Sequence, residues 1–198
     1  LTRNKHADFV KDLVEGLVAR GIQVTSDIDD SIISRPEITQ IISLMEIIDC
    51  FYNDVPLATV MKSPIGSFSE EELLTIQREF YGTVEGDKRD LTFYQAVEYV
   101  KDKDFAISKK VKEFCEYIDY LRELADFLPA KELLEKVVED KALEEYLYAT
   151  QNGKKKVGGL RFFISVSKSG DKNYTIKEFL NLIKVNPDLF SYKGGGEE

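Results

Sequence analysis

The sequence predicts a mainly α protein with a small α/β edge at its start. Three observations carry this. Apolar residues recur at three- and four-residue spacing along most of the chain beyond residue 30. Helix-capping signatures, such as Ser34-Arg35-Pro36-Glu37 and Ser69-Glu70-Glu71-Glu72, stand ahead of those runs. A convincing strand pattern occurs only at Ile22-Gln23-Val24-Thr25.

Taken in order, Phe9, Val10, Leu13, Val14 and Leu17 make residues 5–20 an amphipathic helix that stops at Gly21. The strand at 22–25 follows, and Leu1-Thr2 reads as the end of another strand. Strand–helix–strand is the building block of a Rossmann-like unit, so this stretch is expected to form one edge of a larger α/β domain. The next helix is predicted over 35–49, with Pro36 in its first turn and Ile38, Ile41, Ile42, Met45 and Ile48 facing a core. Residues 50–68 read as a polar loop that leads into a helix capped by Ser69 and running through Gln77. A polar loop over 82–90 precedes a helix capped by Thr92 and carrying Phe93, Ala96, Val97 and Val100. The longest helix is predicted over 109–127, with Val111, Phe114, Cys115, Ile118, Leu121 and Leu124 on its stripe. Shorter helices follow at 130–138 after Pro129 and at 142–149. Gly153 opens a basic helix that runs to Val166, and the last helix covers 175–185, ended near Pro187. Gly194 to Glu198 read as a flexible linker. A division near residue 60 separates the α/β edge from the helical remainder.

Composition narrows the class. The 198 residues are 43% hydrophobic and carry a net charge of −9, which excludes a wholly basic nucleic-acid module. A local basic surface still suffices for phosphate contacts. No run approaches the roughly 18 apolar residues of a membrane span, and the first residues carry no apolar signal core. Cys50 and Cys115 both sit in helical patterns rich in apolar residues and are expected to be buried reduced thiols, in keeping with a cytoplasmic protein.

Several segments invite a chemical reading. Residues 167–178 have the length of a calcium loop ending in Glu178. Positions 1 and 3 are serines, however, and Lys172 stands where the turn needs glycine, so a polar turn is expected instead. Asp27, Asp29 and Asp30 cluster without further ligands at metal-binding spacing, and His6 is the sole histidine; no metal site is assigned. The run from Gly153 to Arg161 concentrates Lys154, Lys155, Lys156 and Arg161 in an otherwise acidic chain. It fits either a solvated helix start or a phosphate contact, with Gly158 and Gly159 permitting close approach of another chain or a phosphate. Lys62, Ser63, Ile65 and Gly66 precede the helix that starts at Ser69. A cation, small hydroxyls and a glycine before a helix N-terminus suit phosphate binding, while Glu70, Glu71 and Glu72 oppose it by already complementing the helix dipole.

These residues also carry a family resemblance. Leu1-Thr2-Arg3-Asn4-Lys5 resembles motif IV of the UvrD-like superfamily 1 helicases, followed by Arg20-Gly21-Ile22-Gln23-Val24 and Arg35-Pro36-Glu37-Ile38 in the family's order. The run from Asn53 to Pro64 is especially similar to the AddA helicase–nuclease subunits of bacterial recombination complexes. Thr92 to Val97 and the stretch 153–161 add to the likeness, which is strong over 1–76 and diffuse afterwards. The sequence departs from the family where Lys62 replaces a usual arginine, Cys50-Phe51 a common Asn-Pro, and Pro64-Ile65-Gly66 a Gly-Ile-Gly.

The resemblance implies that residues 1–60 belong to a second RecA-like motor domain (2A), that 61–193 form its helical 2B insertion, and that 194–198 are a linker. Arg3 would reach the γ-phosphate of ATP in the full protein. Lys62, Ser63, Ile65 and Gly66 would contact duplex DNA, with Lys154, Lys155, Lys156 and Arg161 as further DNA-binding candidates. The parent enzyme would use ATP and Mg2+, act on duplex and single-stranded junctions, and pair with an AddB-like subunit. No phosphate loop or catalytic acidic box is present, so these residues alone are expected to be inactive and to bind no cofactor. Two other readings keep the same features: a UvrD- or RecB-type helicase segment without the nuclease, and an independent acidic helical interaction domain.

Overall fold

The computed structural model describes residues 31–84, 90–169 and 172–191. Among them are nine α-helices: α1 (Pro36–Asp49), α2 (Asp54–Lys62), α3 (Glu70–Tyr81), α4 (Phe93–Lys101), α5 (Ser108–Ala125), α6 (Ala130–Asp140), α7 (Leu143–Tyr148), α8 (Gly153–Val166) and α9 (Ile176–Val185). A two-strand antiparallel hairpin, β1 (Lys168–Ser169) and β2 (Lys172–Asn173), links α8 to α9. The mainly α prediction matches this architecture. The expected helix at 5–20, the strand at 22–25, His6, the Asp27–Asp30 cluster and the 194–198 linker lie outside the described residues.

Helix α1 is the axis of the described region. Pro36 occupies its first turn, where a missing N–H removes nothing. Ile38, Ile41, Leu44, Met45, Ile47 and Ile48 are all buried, so the apolar surface wraps most of the helix. Such a helix is stable only when surrounded, and α2, α5, α8 and α9 pack around it. A second, aromatic centre lies where Phe163, Phe179 and Phe190 meet with ring centroids 5.2 to 6.0 Å apart, all fully buried. Phe190 belongs to the 3₁₀ turn Pro187–Phe190, whose neighbour Ser191 forms an isolated antiparallel bridge with Ser31. That bridge ties one end of the described region to the other.

Three of the helix starts are encoded locally, whereas the cap expected from Ser34 is not made, α1 starting after Arg35 without a side-chain cap. Ser69, Thr92 and Thr175 each complete a capping box, with Glu72, Gln95 and Glu178 respectively returning a bond to the cap amide. Helix α4 receives a second cap from far away in sequence. The carboxylate of Asp54, in the first turn of α2, accepts the Phe93 and Tyr94 amides at 2.8 and 2.9 Å. These are orphan donors of the α4 N-terminus, so one side chain fixes the angle between two helices.

Two expectations are corrected here, at residues 54–62 and at Cys50, and the polar turn expected within 167–178 is met in more detail. Residues 54–62, read as part of a polar loop, form helix α2. Its Pro56 sits in the first turn, where proline is tolerated. The polar turn expected within 167–178 contains a hairpin, and Glu178 is spent on capping Thr175 and on an ion pair with Lys172 at 3.7 Å. Cys50 is exposed because α1 ends at Asp49 and the backbone extends there (φ −146°), whereas Cys115 is buried in α5 as expected. No helix among the described residues is long and apolar enough to cross a membrane.

Candidate nucleic-acid interface

The turn between α2 and α3 is built almost entirely from its own backbone. Ser63 is 2% exposed; its hydroxyl donates to the Val60 carbonyl at 2.7 Å and accepts the Ile65 amide at 3.1 Å. The Gly66 and Ser67 amides both return to the Ser63 carbonyl, at 3.1 and 2.7 Å, and the Phe68 amide reaches the Met61 carbonyl at 2.8 Å. Ile65 and Phe68 point inward and are buried. Gly66 is required by crowding: a Cβ there would stand 2.5 Å from the Met61 carbonyl oxygen. Ser67 closes the turn in the left-handed region at φ 56°.

Of the residues proposed from sequence at this turn, Lys62 therefore presents an exposed side chain, while those of Ser63 and Ile65 face the protein. The Lys62 ammonium is ion-paired with Glu70, which holds the Glu70 carboxyl below its ordinary range. These two residues form part of one wall of a groove of about 630 Å³, lined also by Val55, Ala58, Leu73 and Leu74.

A second cation, not foreseen from the sequence, joins the turn from α5. Lys110 donates to the Ser67 carbonyl at 2.8 Å and to Glu72 at 2.6 Å, and its ammonium lies 4.5 Å from the centre of the Phe68 ring. The Lys110 bond, seconded by the Ser69 amide, lowers the pKa of Glu72. Spacings of 38 and 43 residues along the chain leave no local signal for these contacts.

The second basic segment is the start of α8. Lys154 and Lys155 are exposed in its first turn, whereas Lys156 is half-buried and donates to Thr150 at 2.9 Å. Arg161, two turns on, makes a bidentate pair with Glu144 of α7, the Nε bond being 2.7 Å. That pairing raises the pKa of Arg161 and lowers that of Glu144. The glycines of this segment serve approach to the protein's own chain. A Cβ on Gly153 would stand 2.5 Å from the Tyr148 carbonyl, and one on Gly159 would meet the Arg35 guanidinium at 2.9 Å.

The two segments converge on α7. Pro64 and Ile65 of the turn, Tyr146 and Leu147 of α7, and Leu160 of α8 border one narrow cleft. Arg3 lies outside the described residues. Among the described residues no group of three or more His, Cys, Asp or Glu side chains is arranged to hold a metal ion.

No protein-family model matches the chain. Individual relatives do. The chain is 28% identical over 190 residues to the ATP-dependent helicase/nuclease AddA subunit of Thermoanaerobacter sp. (strain X514), covering 93% of this chain and 15% of that protein. The protein of the same name from Alkaliphilus oremlandii (strain OhILAs) is 28% identical over 188 residues, or 94% of this chain and 15% of the relative. For that of Clostridium novyi (strain NT) the figures are 28% over 208 residues, 99% and 16%. The likeness thus runs well beyond the first 76 residues, and the chain spans about 15% of the length of the curated relatives it matches. Over more than nine-tenths of its length the chain is AddA-like, similar to a segment of the ATP-dependent helicase/nuclease proteins of that name.

Proposed function

We propose that the chain is the DNA-facing helical segment of an ATP-dependent DNA helicase–nuclease of the AddA type, acting in double-strand-break repair and recombination in the cytoplasm. The observation that carries this reading is the similarity along 93 to 99% of the chain to AddA helicase/nuclease proteins. In this reading residues 1–60 belong to the 2A motor domain, 61–193 form the 2B-type insertion, and 194–198 link onward. ATP and Mg2+ act in the whole enzyme, where Arg3 contacts the γ-phosphate of ATP; a fixed cationic fork suits charge that develops in phosphoryl transfer. An AddB-like subunit is the partner of the whole complex. The segment itself contributes duplex contact and mechanical coupling, without catalysis.

At the turn the DNA contact falls chiefly to Lys62, whose exposed ammonium supports it. A buried Ser63 hydroxyl and a buried Ile65 side chain support a role in holding the turn that presents that lysine. Gly66 lets the turn close. At the start of α8 the exposure of Lys154 and Lys155 supports a second contact, and Lys156 and Arg161 bond to Thr150 and Glu144.

The test is to measure ATP turnover and DNA binding on the purified 198-residue chain. The expected result is no ATP hydrolysis and weak, salt-sensitive binding to a forked duplex that weakens on Lys62→Ala. Robust ATP turnover, or DNA binding indifferent to salt and to Lys62, overturns the reading.

A further inference from the structure

We propose that Glu70 is a built-in competitor for the phosphate that Lys62 takes, so that nucleic-acid backbone binds this turn by exchanging phosphate for carboxylate. The inference rests on the reading of Lys62 as a backbone contact and adds a residue that regulates it.

The geometry separates the two cations of the turn. Lys110 is clamped: it is bonded to the Ser67 carbonyl and to Glu72, lies over the Phe68 ring, and is only 36% exposed. Glu72 is clamped in turn, because its carboxylate also accepts the Ser69 amide in the capping box at 2.7 Å. Moving either group breaks several bonds at once. Lys62 and Glu70 differ in kind. Their side chains are 57% and 75% exposed, and among the described residues the hydrogen bond between them is the one that holds both charged ends. An exposed pair of this sort adds little stability, because water and salt replace it readily.

A nucleic-acid phosphate offers Lys62 more. Its oxygens accept a charge-assisted bond as a carboxylate does, and binding to a polyanion also releases condensed counterions, a gain that an intramolecular carboxylate lacks. A single small phosphate releases none of that atmosphere and competes poorly with Glu70. The turn is therefore selective for a continuous phosphodiester backbone over isolated phosphate groups. Glu70 sets the threshold, and Lys110 holds the turn still while the exchange takes place.

The experiment measures binding of the 198-residue chain to a labelled forked duplex by fluorescence anisotropy, over about 50 to 200 mM salt. Glu70→Gln keeps the shape and removes the competing charge; it should tighten binding about two- to fivefold. Glu70→Gln combined with Lys62→Ala should bind like Lys62→Ala alone, because the gain acts through that lysine. Glu71→Gln, at an equally surface-placed neighbour with no ion pair among the described residues, should change affinity less than about twofold. Circular dichroism checks that each variant keeps its helices. Unchanged binding in Glu70→Gln, with Lys62→Ala still weakening it, overturns the exchange and leaves the Lys62 contact standing. Equal gains from Glu70→Gln and Glu71→Gln overturn it too, since overall charge would then explain both. Full binding in Lys62→Ala overturns the underlying contact itself.

Discussion

Gly66 and Cys115 are each held by surroundings that a single atom would disturb. A methyl group on Gly66 would press into the Met61 carbonyl and Cα at 2.5 and 2.6 Å, and both are backbone atoms that cannot rotate away. Gly66→Ala is expected to destabilise the fold by about 1–3 kcal/mol, read as a lower urea midpoint with an unchanged slope. Cys115 sits 5% exposed in α5, and burial pushes its thiol up from 9.0 to about 12. Only the thiolate reacts, so at pH 8 a disulfide reagent should titrate Cys50 in the native protein and reach Cys115 only on unfolding. The same shift makes a pH prediction. The folded state prefers the protonated thiol, so its contribution is complete below pH 9 and is lost as pH rises towards 12. Cys115→Ala should lower stability at neutral pH while flattening that alkaline decline, measured by urea unfolding from pH 8 to 11. At this scale the sequence was half-informative. Cys115 falls on the apolar stripe of α5 and its burial was legible. Cys50 follows an equally apolar stripe but lies one residue past its end, and helix boundaries are the least certain feature of a periodic pattern.

Among the elements, α2 shows what periodicity misses. Its nine residues begin with Asp54, carry Pro56 in the first turn and have no side-chain cap of their own at Asn53. Nothing local distinguishes such a stretch from a loop, and a helix this short is marginal without tertiary support. The support comes from α1, against which it packs, and from Asp54, which reaches across to the amides of Phe93 and Tyr94. Helix α4 was legible because Thr92 and Gln95 form its box in sequence; the second cap was not, because Asp54 lies 39 residues earlier. The predicted consequence is that Asp54→Ala costs about 1–2 kcal/mol and frays both helices. Hydrogen exchange should speed up at Phe93 and Tyr94 and in α2, while α9 stays protected. Loss of protection confined to α2 would mean that the carboxylate does not couple the two helices. The same logic applies to the candidate site. Lys62 and the α8 lysines could be read directly from the sequence, but Lys110 and Glu144, which fix the turn and Arg161, could not, since only the folded chain brings them there.

For the molecule as a whole, the question is how an acidic chain holds on to an anionic polymer. With a net charge of −9, long-range electrostatics repels DNA, so binding has to come from the few cations that reach phosphate directly. The salt dependence counts them: each neutralised phosphate contributes roughly 0.9 to the slope of log affinity against log salt for duplex DNA. Lys154 and Lys155 are exposed on the first turn of α8, whereas Lys156 is drawn towards Thr150. Replacing Lys154 and Lys155 by Gln should reduce the slope by about 1–2 and weaken binding to all sequences alike. Lys156→Gln should leave the slope nearly unchanged and act on stability instead, through the lost bond to Thr150. If the lysines are merely a solvated helix start, the slope is the same in every variant and the contact surface contracts to Lys62. The resemblance alone could not separate these outcomes, because a likeness at 28% identity aligns backbones without saying which lysine side chains are exposed. The fold supplies that exposure, and anisotropy titrations of the Lys154 and Lys155 double variant and of Lys156→Gln across salt concentration would test what it implies.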